Sequence, residues 1–579
     1  MTAILNFRML KSITSPSGLF IIEKTAQPPR PVKNKILQLR LLHNMPKPIP
    51  DLRTAVVPLD VTRVTNIQGL KEGAEKWWNI RRIQALFPSI ETLFKLENVR
   101  APYQFGIKTR SPIQTIADAD SIYVGGSLTT VHRKTTMILP SYRVMRGDFG
   151  TAGLPCDKEN AEELYHRLHS PHNAAYCGAL ANVILSESGC IHFPEVYATF
   201  TGIASKHLID ISDDYEDLSD RQWFLQNLGH FFDLKLRSNI PEMLPQIQLG
   251  DADESIDLGA QELAPINYVA TTVPAPIEDS ESETEDEDAS EDTDSISTGY
   301  VFAVKTCSSD GDEHEDGIGF EDEGEVFAEA VFHDVPVQTT VMQKCDGTLY
   351  TLLKNNVEPH KRIAWIAQVV FALSYAQRNY GFVHNDLHVN NVMYISTEKE
   401  FLYYNVAGKQ YKVPTYGYII KIIDFDRATY SVKLAGMREA RFFMSDQFGS
   451  NEEAGGQYNI MPFYSSKYPE VKPNASFDLV RLATSIFWDC YPLGPLCATY
   501  KEDPLFNILM TWTTLPDGTS ILFRNLAEND THERYRGFHL YKAIARYCRG
   551  TVIPRTQIEK LAVPYLSTEK GDSCLNIDA

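Results

Sequence analysis

Residues 381–394 read Gly381-Phe382-Val383-His384-Asn385-Asp386-Leu387-His388-Val389-Asn390-Asn391-Val392-Met393-Tyr394, and about thirty residues later the chain continues Ile422-Ile423-Asp424-Phe425-Asp426. Each half follows an apolar run of β-like character, Tyr380–Val383 and Tyr418–Ile423. The residue types suit one chemistry. A carboxylate in a tight loop, Asp386, orients a hydroxyl nucleophile as its proton leaves. An amide, Asn391, and a second carboxylate, Asp424, offer hard oxygens to magnesium ions that neutralise phosphates. Short loops containing Asp and Asn are common as plain turns, so neither half alone identifies a site. The two in order, each behind an apolar run, point to phosphoryl transfer.

Composition bounds the rest. The chain has 579 residues, enough for roughly two to four domains, and its 43% apolar content is ordinary for a globular protein. No long uncharged apolar run is present, so no transmembrane helix is expected. Met1–Lys24, interrupted by Arg8, Lys11 and Glu23, lacks the core of a signal peptide. Nine cysteines occur without a C-x-x-C pair, which argues for free thiols in a reducing compartment and against a zinc site.

The net charge of −20 averages two unlike regions. Asp251–Ala330 holds 26 Asp and Glu against one lysine, Lys305, a balance of −25. Residues 1–113 hold 18 Lys and Arg against 7 Asp and Glu. The chain reads as a basic body with one acidic insertion. Asp279–Asp294 carries too little apolar surface to fold and is expected to be disordered; basic proteins are its expected partners. The basic excess near the N-terminus carries no recognisable nucleic-acid module, so nucleic acid is not the expected ligand.

The two motifs resemble those of the protein kinase-like superfamily. His384-Asn385-Asp386-Leu387-His388-Val389-Asn390-Asn391 lies on the catalytic-loop pattern H-R-D-L-x-x-x-N, and Asp424-Phe425-Asp426 lies on D-F-G. The resemblance covers roughly residues 120–550. It implies an α+β, bilobal fold: a basic N-terminal extension (1–115), a small lobe (116–345) interrupted by an insertion (209–332, acidic and disordered over 250–330), and a helical large lobe (346–579). It implies ATP and Mg2+ as cofactors, Asp386 as the base and Asn391 with Asp424 as the metal ligands. Val131-His132-Arg133-Lys134 takes the place of V-A-I-K, which makes Lys134 the phosphate-binding lysine. Phe302-Ala303-Val304-Lys305 matches that pattern better but follows the expected C-helix, so Lys305 stands as runner-up. His172–Glu187 occupies the C-helix position, yet no lysine-pairing Glu is evident among Glu159, Glu162, Glu163 and Glu187. A strand at Phe193–Gly202 and its partner at Val335–Lys344 lead to the hinge, where Met342 is the gatekeeper and the backbones of Gln343 and Cys345 face adenine.

Further along, Ile363, Ile366, Val369, Val370, Leu373 and Ala376 recur at helical spacing, predicting a helix over Pro359–Asn379 with one apolar face. An extended hairpin is expected around Ala407-Gly408-Lys409. Tyr468-Pro469-Glu470 resembles A-P-E, and Asp478 resembles the F-helix Asp that accepts hydrogen bonds from the catalytic loop. In residues 1–115, the spacing from Leu70 to Leu96 is helical and amphipathic. The combination looks most like serine/threonine kinase-like proteins of large DNA viruses, particularly iridoviruses, which implies the host cytoplasm, or the virion, as the location.

Three departures matter. Asn385 replaces the catalytic-loop arginine, so no guanidinium is expected beside Asp386 and no phosphate anchor for the activation segment. Asp426 replaces glycine. His388 replaces the usual lysine, as in small-molecule kinases resembling aminoglycoside phosphotransferases. Three functions follow as expectations: a serine/threonine protein kinase acting on a protein substrate, a small-molecule phosphotransferase, and a pseudokinase acting as a structural or interaction protein.

Overall fold

A computed structural model describes residues 55–578 apart from 65–66, 151, 156, 158–161, 239–325, 450–451, 459–472, 529, 570 and 572. The fold is α+β, and the buried apolar residues form two cores.

The first core lies against a sheet of seven antiparallel strands. They are β1 (Ile80–Gln84), β2 (Ile113–Ile116), β3 (Ser121–Val124), β4 (Ser127–Met137), β5 (Val196–Asp210), β6 (Asp233–Ser238) and β7 (Val326–Gln343), in the order β1-β5-β7-β4-β3-β2. The long β7 carries β5 along one edge, and β6 and β4 in succession along the other. Alternation explains its length: Ala328, Ala330 and Phe332 are fully buried while Glu329 projects to Lys235. Residues 209–238 and 326–332, expected in the insertion, are therefore folded: 209–210, 233–238 and 326–332 belong to this sheet, and short helices lie between residues 212 and 227. The acidic run ending at Glu325 masks that alternation in the sequence. Residues 239–325, Lys305 among them, lie outside the described residues.

The expected N-terminal extension is also revised from residue 55 onward. Leu70–Leu96 is not one helix. Helix α1 (Ile67–Trp78) ends at Asn79, β1 follows, and a short helix Pro88–Phe94 comes next. Asn79 and Arg82 take left-handed backbone (φ 53° and 57°), which a continuous right-handed helix excludes. Leu70, Ala74 and Trp78 share a core with Ile113, Ile116 and Phe200, so this segment is part of the sheet domain. Trp78 stacks on Phe200 at 6.0 Å, and its indole donates to the Ala119 carbonyl (2.8 Å).

Helix α2 (Ala174–Glu187) is capped by Asn173, whose Oδ1 accepts from the Ala175 amide (3.1 Å). It is buried from Ala175 to Ser186. Helix α3 (Pro359–Tyr380) was expected to show one apolar face but is enclosed on nearly every side, with Trp365, Gln368 and Phe371 at zero exposure. Gln368 explains how a polar residue fits there: its Oε1 accepts from the Ile420 amide (2.9 Å) and its Nε2 donates to the Tyr418 carbonyl (3.2 Å). Gly381 (φ 57°) closes the helix in the left-handed conformation. That is why Tyr380–Val383 is a helix end and not the strand its composition suggests; only Val383 forms a bridge, to Thr429.

Strand β8 (Val392–Ser396) leads to the hairpin β9 (Phe401–Val406) and β10 (Lys409–Pro414), then β11 (Tyr418–Ile422). The turn expected at Ala407-Gly408-Lys409 is a two-residue one, Ala407 and Gly408 (φ 50° and 79°), with Lys409 already paired to Val406. β8 and β11 pair antiparallel, Val392 opposite Ile422. This pairing brings two sequence-distant loops together. Helices α4 (Phe477–Cys490) and α5 (Phe538–Tyr547) pack beneath them.

Candidate functional site

Strand alternation aims the lysine. In β4, Val131 and Arg133 turn toward the first core, where the Arg133 guanidinium lies 5.3 Å from the Trp78 ring centroid. Lys134 and Thr136 therefore face the other way. Lys134 Nζ reaches Asp424 Oδ1 at 2.7 Å and Asp426 Oδ1 at 2.9 Å, and Thr136 Oγ1 donates to Asp426 Oδ2 at 3.3 Å.

From the other side, β8 and β11 deliver Asn391 and Asp424 to adjacent chain ends, since the Ile423 amide donates to the Asn391 carbonyl (3.0 Å). Asp424 sits at φ 67° and Asn385 at φ 64°. Such backbone costs free energy for most residues, is tolerated by Asn and Asp, and persists where the surroundings enforce it. Here they do. Asp478 of α4 accepts from the His384 amide (2.9 Å) and the Asn385 amide (3.0 Å), the contact the sequence anticipates. The His384 ring bonds the Ile423 carbonyl (2.7 Å), and Phe425 is buried edge-on to Phe193, Phe382 and His384.

Asn385 marks more than a lost arginine. Its Nδ2 donates to the Val383 and Arg427 carbonyls (3.1 and 2.9 Å), and its Oδ1 accepts from the Tyr458 hydroxyl (2.8 Å). It ties the Asp386 loop to the segment that follows Asp424. The expectation of no guanidinium beside Asp386 is overturned: Arg427 Nη1 lies 3.2 Å from Asp386 Oδ2. The guanidinium comes from the residue that follows Asp426 and not from the one that precedes Asp386. Asp386 Oδ1 accepts from Tyr541 of α5 at 2.6 Å. Neither partner carried a motif signal; only the fold brings residues 427 and 541 to 386.

Electrostatics favour the charged forms of Asp424 and Lys134. Burial pushes the Asp424 carboxyl up, but the Lys134 ammonium overrides it and holds the group well below the usual range. Burial likewise opposes charge on Lys134, and Asp424 and Asp426 outweigh it, so the ammonium keeps its proton. Burial raises Asp426 against the pull of Lys134, with the Asp424 charge adding to the rise. It also lowers His388, against the pull of Asp386. Thr136, Asp386, Asp424, Asp426, Arg427 and Glu453 line a single cleft.

The predicted residues divide into two groups. Lys134, Asp386, Asn391 and Asp424 converge. Met342 and Gln343 end β7, Cys345 follows it, and none of the three lines the acidic cleft. Met342 is buried opposite His132, and the Gln343 amide donates to the Glu195 carbonyl (2.8 Å). Glu187 is not a lysine partner, for it lies against Arg110 (3.7 Å). The position of Glu159 and the side chains of Glu162 and Glu163 fall outside the described residues.

Among the described residues, no group of three His, Cys, Asp or Glu side chains is arranged to enclose a metal ion. The donor set nonetheless suits magnesium, which keeps several waters and takes one or two protein oxygens beside phosphate. Asn391 Nδ2 donates to the Asp386 carbonyl (3.0 Å), leaving its amide oxygen as a hard donor beside the ionised Asp424. No helix among the described residues is long and apolar enough to cross a membrane.

No family model matches the chain. A stretch of 66 residues is 35% identical to the uncharacterized protein ZK177.2 of Caenorhabditis elegans, a match covering 11% of this chain and 22% of that protein. The chain thus spans about a fifth of the length of the curated relative it matches.

Proposed function

We propose that the chain is an ATP-dependent serine/threonine protein kinase with a bilobal protein kinase-like fold, of the type found in large DNA viruses. The observation that carries the reading is the ion pair between Lys134 and Asp424, 2.7 Å long and 290 positions apart in sequence. A lysine on a central strand, a carboxylate after an apolar strand and an Asp386–Asn391 loop then share one site.

ATP and magnesium supply the phosphoryl group and the neutralisation of its charge. In this reading Lys134 binds phosphate oxygens, and Asn391 and Asp424 hold the metal. Asp386 receives the proton of the acceptor hydroxyl. Arg427 fixes one of its oxygens and so orients the other. The acceptor is a protein, and basic proteins are the partners proposed for the acidic insertion. Asp424→Asn and Asp386→Asn each remove a charge without removing core packing, so phosphotransfer to a protein acceptor should fall by about a hundredfold or more while the folded circular-dichroism spectrum is kept. Full activity in the Asp424 variant overturns the reading.

A second reading, a catalytically weak relative that acts by binding, is favoured by one observation: both carboxylate oxygens of Asp386 already have partners. Nucleotide binding without phosphotransfer would select it.

A further inference from the structure

The sequence lacks a carboxylate on α2 to hold Lys134, and the structure offers a different one. We propose that Asp426 positions Lys134 for phosphate, and that Gly178 of α2 is glycine to make room for it; this deepens the kinase reading and rests on it.

Three observations support the assignment. Lys134 is 10% exposed and Asp426 15%, and they meet at 2.9 Å, so this is an enclosed ion pair and not a surface contact. Asp426 is itself fixed, because Thr136, two positions from Lys134 on the same face of β4, donates to its other oxygen. Gly178 lies in the middle of α2, where glycine costs about 1 kcal/mol relative to alanine and its backbone freedom serves no purpose. The reason for glycine is space: a Cβ there would lie 2.0 Å from Asp426 Oδ1, the oxygen that meets Lys134.

The carboxylate that α2 does not supply thus comes from the segment after Asp424, and the helix carries a notch where that side chain enters. Asp424 also touches Lys134, but it is the carboxylate assigned to magnesium. Asp426 is the one left to the lysine alone.

The test is a set of variants of the full chain read by nucleotide affinity, measured by calorimetry with a non-hydrolysable ATP analogue, with and without Mg2+. Asp426→Asn and Asp426→Gly should each weaken metal-free binding about tenfold, and Asp426→Glu should do less harm. Gly178→Ala should weaken binding to a similar degree in the parent, because it displaces Asp426. In the Asp426→Gly background it should cost nothing further, since the clash is gone. Gly178→Glu combined with Asp426→Gly relocates the carboxylate to the helix and should restore affinity to within a few fold.

Additive losses for Gly178→Ala and Asp426→Gly would overturn the proposal. So would a loss confined to Mg2+-containing samples, which would make Asp426 a metal ligand. Lys134→Met separates this proposal from the reading beneath it. If that variant binds nucleotide normally, the kinase reading fails. If it binds weakly while Asp426→Asn binds normally, the kinase reading stands and the role of Asp426 falls.

Discussion

The Tyr541 hydroxyl donates to Oδ1 of Asp386 across 2.6 Å, so a residue from near the C-terminus occupies the oxygen an acceptor hydroxyl needs. A donor at this place competes with the acceptor. Tyr541→Phe should raise turnover several-fold and lower the acceptor KM, with ATP affinity unchanged. The lost hydrogen bond should cost about 1 kcal/mol of stability. A fall in turnover would show that the hydroxyl aligns Asp386 instead of blocking it.

Asp478, fully buried, holds two amides of the Asp386 loop. Asp478→Ala strands both donors in a dry environment, at about 1–3 kcal/mol each. Chemical denaturation should show a loss on the order of 3 kcal/mol. A variant within 0.5 kcal/mol of the parent, roughly the surface-substitution range, would mean that water replaces the carboxylate.

The segment after Asp426 is anchored through its own acidic side chains. Glu452 Oε1 accepts from Arg167 (2.6 Å) and Arg143 (3.2 Å), and the carboxylate of Asp446 accepts from the Ala174 amide at the start of α2 (3.0 Å). These carboxylates do what a phosphate would do elsewhere. Phosphatase-treated protein should keep its activity. Glu452→Gln should speed amide exchange across residues 445–457. Activity abolished by dephosphorylation would show that a phosphate, and not Glu452, holds the segment.

His192 is buried between the Ile420 carbonyl (2.8 Å) and the Tyr404 hydroxyl (2.8 Å). Burial lowers its pKa to about 4, only partly offset by the Ile420 carbonyl. The folded value lies below the ordinary 6.5, so its contribution is complete above pH 6.5 and is lost as pH falls toward 4. His192→Gln cannot titrate. The stability gap between parent and variant should therefore narrow by about 3 kcal/mol between pH 7 and pH 4. A constant gap, or an NMR titration of His192 near 6.5, would refute the assignment.

Asp386, Asn391, Asp424 and the Asp478 contact were legible because they sit in short, ordered motifs whose chemistry dictates their spacing. The helix over Pro359–Tyr380 and the Ala407-Gly408 turn were legible because period and turn residues are local properties. Lys134 was named but not decided. Only the pairing of β4 with β7, and the two-residue period that follows, turns its side chain toward Asp424.

Tertiary structure alone decided the rest. Sequence patterns could not place Arg427 or Tyr541 at Asp386, since an ion pair across 41 positions and a hydrogen bond across 155 leave no local trace. Asp426 and Gly178 read as two unrelated oddities, a charge in place of glycine and a glycine in a helix. Folding sets one against the other, and a contact of that kind is a property of the packed chain and not of either segment.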